Sequence, residues 1–213
     1  APADSESQGP VKNVFWSGHS LLAPPIPDFL EAISNGFGVR MGWNLHMMAG
    51  ASLEARTRGR PPELNGWPGY RQGDNRAGQN MDVIAEFRNP QTLESGRYDV
   101  LIITEVHDFL YWLLRQDTVR LLRHYHERFI EGNATGQTFF YQAWLDYLDK
   151  ENPQSWMDYE RAAAPVWQCI ATRVNTSLAA EGRADQLKFL PASLALVELV
   201  DRATSGTGVP GIT

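Results

Sequence analysis

Three short stretches of this chain place residue types able to do chemistry where strands are predicted to end. In residues 13–22, NVFWSGHSLL, an apolar, aromatic run breaks at Ser17-Gly18, and a second serine follows at Ser20. A strand that turns sharply through glycine can push a hydroxyl out at the carboxyl edge of a sheet, where a nucleophile is useful. Gly18-His19-Ser20 alone is a weak motif, because ordinary strand ends carry the same residues. The second stretch is Gly50, which follows the alternation Val39, Met41, Trp43, Leu45 and Met47. The third is YDVLIITEVHD, residues 98–108, with Glu105, His107 and Asp108 at the end of an apolar run.

Placing these three together requires a particular order of elements. Residues 11–16 read as a first strand, 27–33 as a short helix closed by Asn35-Gly36, and 39–47 as a second strand. Residues 49–80 are rich in Gly, Pro, Arg and Asn and exceed an ordinary connection in length, which points to a functional loop or lid. Residues 81–87 fit a strand or a helical turn. Residues 98–106 form a nearly continuous apolar run, as expected where helices cover both faces of a parallel sheet. A long helix follows, with Leu110, Leu114, Leu121, Tyr125 and Phe129 near one stripe and Gly132-Asn133 as its stop. Then come a strand at 138–143, a helix at 155–178 that contains Pro165, a strand at 187–190 and a helix at 192–203. This alternation predicts one α/β domain with a parallel sheet between helical layers. In such sheets ligands bind beyond the carboxyl ends of the strands, which is where Ser20, Gly50 and residues 105–108 all fall.

Composition narrows the function. The chain has 213 residues, 43% of them apolar, and a net charge of −6. That balance gives no reason to expect nucleic acid, and no apolar stretch reaches the ~20 residues of a membrane span. The polar first ten residues read as a flexible N-terminus, compatible with a secreted or periplasmic protein. The single cysteine, Cys169, excludes an internal disulfide and sits in an apolar helical pattern that suggests a buried thiol.

Other residues divide between structure and site. Arg56, Arg58, Arg60, Arg71 and Arg76 cluster where a solvated loop is expected, although an anionic substrate would also suit them. His19 adjoins the candidate nucleophile and is expected at the site mouth, whereas His46 reads as structural. His124 and His126, two apart on a helix, point to different faces and cannot share a metal. Glu105, His107 and Asp108 fail as a metal site because successive strand side chains alternate in direction. Asp108 reads instead as a helix cap. No metal or cofactor is expected. Trp67 and Tyr70 place two rings in the long loop, where they suit a sugar face or acyl group, or anchor the loop to the core.

Taken together, the motifs resemble the blocks of the SGNH (GDSL-type) hydrolases. Gly18-His-Ser-Leu21 is similar to the first block, with His19 where the name-giving aspartate stands. Gly50-Ala-Ser-Leu53 is similar to the second, and residues 100–108 line up with the third, an apolar strand ending in G-x-N-D. The resemblance implies a flavodoxin-like three-layer α/β/α fold and ester hydrolysis with Ser20 as nucleophile. It also implies an oxyanion hole that includes the backbone N–H groups of Ser20 and Gly50. His107 stands where the family has the asparagine that completes that hole, and Glu105 replaces a glycine. By analogy the substrate is a short acyl ester, such as an acetyl group, on a small molecule or carbohydrate, with His19, Glu105, Trp67 and Tyr70 near it. The family's final D-x-x-H block does not occur in residues 201–213. The expectation is that the functional polypeptide continues beyond Thr213; the alternatives are a base from elsewhere, or an impaired scaffold that binds a glycan or protein partner.

Overall fold

Residues 13–18 of the first strand are all buried, so this strand must have cover on both faces and neighbours on both edges. The computed structural model describes residues 10–64, 66, 68–93, 96–108, 113, 117–146, 149, 151–206 and 208. In it β1 (Val11–Gly18) pairs in parallel with β2 (Arg40–Met47) on one side and β5 (Val100–Ile103) on the other. The parallel series continues through β6 (Gln137–Tyr141) to β7 (Leu187–Leu190). Two short antiparallel strands, β3 (Gly73–Asn75) and β4 (Asn80–Met81), extend the sheet beyond β2. Among the described residues the order is β4-β3-β2-β1-β5-β6-β7. Its parallel part is the flavodoxin-like order 2-1-3-4-5, whose switch point lies between β1 and β5. The fold is α/β, a mostly parallel sheet between helices in three layers, as the sequence pattern predicts.

Among the described residues the α-helices with defined bounds are α1 (Ile26–Gly36), α2 (Leu53–Arg58), α3 (Val83–Arg88), α4 (Thr118–Gly132), α5 (Gln154–Ala179) and α6 (Ala192–Thr204). The two long helices bury the stripe their spacing predicts, whereas α1 leaves Phe29 and Ile33 exposed. On α4 the stripe is Leu121, Leu122, Tyr125 and Phe129, and on α5 it is Trp167, Ile170, Ala171, Val174 and Leu178. Phe15, Phe87, Tyr98, Tyr125 and Phe129 meet edge to face, with Phe15 and Phe87 ring centres 4.7 Å apart. At the end of α4 a Cβ on Gly132 would lie 1.8 Å from the Phe87 carbonyl oxygen, so only glycine lets α4 close on α3. Among the described residues no helix is long and apolar enough to cross a membrane.

Several expectations need correcting. Cys169 is exposed, because it lies off the α5 stripe that carries Trp167 and Ile170. The stretch 49–80 is not one loop: it holds α2, two 3-10 turns and β3. Residues 83–88 are helical, capped by the Asp82 carboxylate on the Ala85 N–H at 2.9 Å. After β5 Leu113 is helical and the long helix α4 begins at Thr118, whereas Leu110 and Leu114 of the expected stripe lie outside the described residues. The segment Asp108 would cap falls there too.

Candidate active site

Ser20 opens a 3-10 turn, Ser20–Leu22, directly after β1. Gly18 and His19 before it are buried, while Ser20 itself is exposed. The turn is closed by the Leu22 N–H donating to the His19 carbonyl at 2.9 Å. Gly18 is needed here, since a Cβ would lie 2.6 Å from Leu22 Cδ1. On the neighbouring strand Gly18 is in register with Met47, so Ser20, two residues on, and Gly50, three residues on, stand at the same rim. Gly50 has φ +63, in the left-handed region that favours glycine. Among the described residues neither the Ser20 nor the Gly50 N–H donates an internal hydrogen bond, and the Ser20 hydroxyl makes none. The Gly50 carbonyl is occupied, accepting from Arg60 Nη2 at 2.9 Å.

Beneath this rim lies a fully buried polar layer. Glu105, expected near substrate, is instead 0% exposed. Its Oε1 accepts from the N–H groups of Leu53 and Val106, each at 2.9 Å, and its Oε2 from the Thr118 hydroxyl at 3.1 Å. One carboxylate thus ties the end of β5 to the first residues of α2 and α4. Arg56, expected on a solvated loop, is also 0% exposed. Its Nη1 donates to Ser17 Oγ at 3.1 Å, its Nη2 to the Thr104 carbonyl, and its Nε to the Ser52 carbonyl at 3.4 Å. Burial lowers the Arg56 pKa and raises that of Glu105, and each charge opposes the other's shift. Arg56 belongs to α2, whose start is marked by Ser52, its side chain capping the Ala55 N–H at 3.2 Å. That serine before a run of helix formers was the available signal for a helix here.

His19 is likewise buried rather than at the mouth. It is 0% exposed, and its Nε2–H donates to the Glu105 carbonyl at 3.2 Å. Burial, then the Arg56 charge, holds its pKa down at about 4, so the ring is neutral at pH 7. Among the described residues its Nδ1 is buried without a partner, as is Nδ1 of His107, and the two ring centres are 5.4 Å apart. His107 is half-buried at the end of β5. Of the residues expected at the site, Ser20 and Gly50 stand at the strand-end rim, His107 lies half-buried past β5 against His19, and His19 and Glu105 are fully buried beneath.

His46 is structural, as expected: Nε2–H donates to the Gly69 carbonyl at 3.0 Å, and Nδ1 accepts from the Tyr125 hydroxyl at 2.8 Å. Tyr70 packs against both, its ring centre 4.9 Å from that of Tyr125 and its hydroxyl buried without a partner among the described residues. Of the two readings for Tyr70, this is the anchor of a loop to the core. Trp67 lies outside the described residues. Beyond His107, Glu160 accepts from the Leu145 N–H at 2.8 Å and the Ser193 hydroxyl at 2.7 Å, which joins the ends of β6 and β7 to the same layer. Among the described residues no cluster of three or more His, Cys, Asp or Glu could hold a metal.

Comparison with known proteins adds a fold and nothing narrower. No protein-family model matches the chain, and no curated protein does. A crystal structure of a DUF4886 family protein from Bacteroides uniformis superposes with a TM-score of 0.54 at 12% identity. The match covers 78% of this chain and 64% of that one, so the chain spans under two thirds of its neighbour's length. At that identity the likeness shows a shared α/β/α architecture alone.

Proposed function

We propose that this protein is a serine ester hydrolase of the SGNH type, acting on a short acyl ester through an acyl-enzyme on Ser20. The observation that carries the reading is an exposed serine at the same strand-end rim as Gly50, with two N–H groups, its own and that of Gly50, for which no acceptor is found among the described residues. Backbone donors held in place before reaction are what a developing oxyanion needs, and each is worth roughly 3 kcal/mol. Ser20 Oγ attacks the acyl carbon and gives up its proton to a base, while the carbonyl oxygen takes the charge against the two N–H groups. The alcohol leaves with a proton, and water releases the acid by the reverse sequence. His107, which stands where the family has its oxyanion asparagine, is the third donor in this reading. The resemblance supplies the base as the histidine of a D-x-x-H segment. No such segment occurs in residues 1–213.

The test is Ser20→Ala assayed with 4-nitrophenyl acetate on the full-length polypeptide. Turnover should fall by a factor of 10³ or more, on the scale of lost nucleophiles in serine hydrolases. Undiminished turnover rules the assignment out. One observation favours a second reading, a non-catalytic scaffold that holds a glycan or protein partner: among the described residues no imidazole is hydrogen-bonded to the Ser20 hydroxyl. A fluorophosphonate separates the two, since only an activated serine reacts within minutes.

A further inference from the structure

Beside Gly50 lies a hollow of about 330 Å³, lined among others by Ser52, Glu54, Arg58, Arg60 and Leu64. Two of its charges cancel, since Arg58 Nη1 is 2.8 Å from Glu54 Oε1. The remaining charge is Arg60. Its Nη2 is held by the Gly50 carbonyl at 2.9 Å, and among the described residues no carboxylate lies within ion-pair reach of it. Covalent geometry keeps a residue's amide nitrogen and carbonyl oxygen within about 4 Å, so this guanidinium stands within roughly 7 Å of the Gly50 N–H. We infer that Arg60 is a specificity residue, selecting esters that carry a negative charge, a carboxylate in the first instance, a few bonds from the ester carbonyl.

The proposal rests on the Ser20 reading for its geometry and adds to it the class of substrate. A planar guanidinium with one edge committed to a carbonyl still offers its other N–H groups, and their fork matches a carboxylate. Leu64, 61% exposed at the edge of the hollow, gives the carbon chain between ester and carboxylate an apolar wall. The hollow carries one net positive charge on a protein of net charge −6, so the attraction is local to this rim and not a property of the whole surface.

Binding can be read without turnover. In the Ser20→Ala protein, monomethyl succinate and dimethyl succinate are titrated while the Gly50 amide is followed by NMR. The half-ester should bind about tenfold more tightly than the neutral diester and shift the Gly50 amide. Arg60→Gln should remove that ratio, Arg60→Lys should restore most of it, and raising salt in the parent should shrink it. Equal affinities, a ratio that survives Arg60→Gln, or no binding of either ester overturns the inference. Should Arg60→Gln not fold, the lysine variant and the salt series decide. Undiminished ester hydrolysis by Ser20→Ala would instead sink the esterase reading, and it is a separate measurement.

Discussion

Replacing Arg56 by Met and Glu105 by Gln, singly and together, tests whether these two buried charges hold the rim as a unit. They make no direct ion pair, since no oxygen–nitrogen contact within 4.0 Å joins them. Beyond 4.0 Å and at an effective dielectric of ~20, their attraction is at most about 4 kcal/mol. Glu105→Gln keeps an oxygen for the Leu53 and Val106 N–H groups and a partner for Thr118. It therefore removes charge and little geometry, at about 2 kcal/mol after relief of carboxylate desolvation. Arg56→Met leaves Ser17 Oγ and the Thr104 carbonyl without their donor and Glu105 without its counter-charge, at about 3 kcal/mol. The double variant no longer holds an uncompensated charge and should also lose about 3 kcal/mol rather than the additive 5, a coupling near 2 kcal/mol. Urea unfolding followed by tryptophan fluorescence measures all four corners. Additivity within about 0.5 kcal/mol would refute the idea that the two charges act as one.

Two further outcomes follow from buried geometry. His19 and His46 have pKa values depressed to about 4 and about 3, so the folded state keeps both rings neutral while the unfolded chain protonates near pH 6.5. Their contribution is complete above that pH and is lost as pH falls toward 4 and 3, about 2 kcal/mol between pH 6.5 and 5.5 for the pair. Glu105 and Glu160, whose pKa values burial raises, act in the opposite sense. Comparing the pH slope of the parent with that of His46→Gln isolates the imidazole share, and an unchanged slope contradicts it. Gly132→Ala should destabilise by 2 kcal/mol or more, although alanine is the better helix former, because the added Cβ meets the Phe87 carbonyl. A neutral or stabilised variant in thermal unfolding would show that this helix contact is not as close as described.

The sheet was legible because its strands carry their own signal. VLII of β5 and the alternation of β2 need no tertiary information to be read. Ser20 and Gly50 were legible for a related reason: each follows a readable strand, and the parallel order brings strand ends to one rim. What stayed hidden is the layer below. Arg56 sits in a stretch of arginines, glycines and prolines, and composition there says solvent; only the fold shows Ser17, Thr104 and Glu105 gathered around it. His19 and Glu105 were placed by their neighbours in the chain, yet at a tight turn adjacent residues point in opposite directions. Cys169 could have been assigned outward from the α5 stripe alone, since Trp167, Ile170, Ala171 and Val174 leave it on the far side.

The stretch 49–80, which its composition marks as a lid, is fastened at three places among its described residues. Its start is bound to β5 through Glu105, its middle to β2 through His46 and the Gly69 carbonyl, and its end by the β2–β3 ladder. Swinging it away as a body would break all of these at once, so among the described residues this stretch is no door that closes over the exposed Ser20. Capture of small molecules at this rim should then follow a single concentration-dependent phase, without the slower isomerisation step that gated enzymes show after encounter.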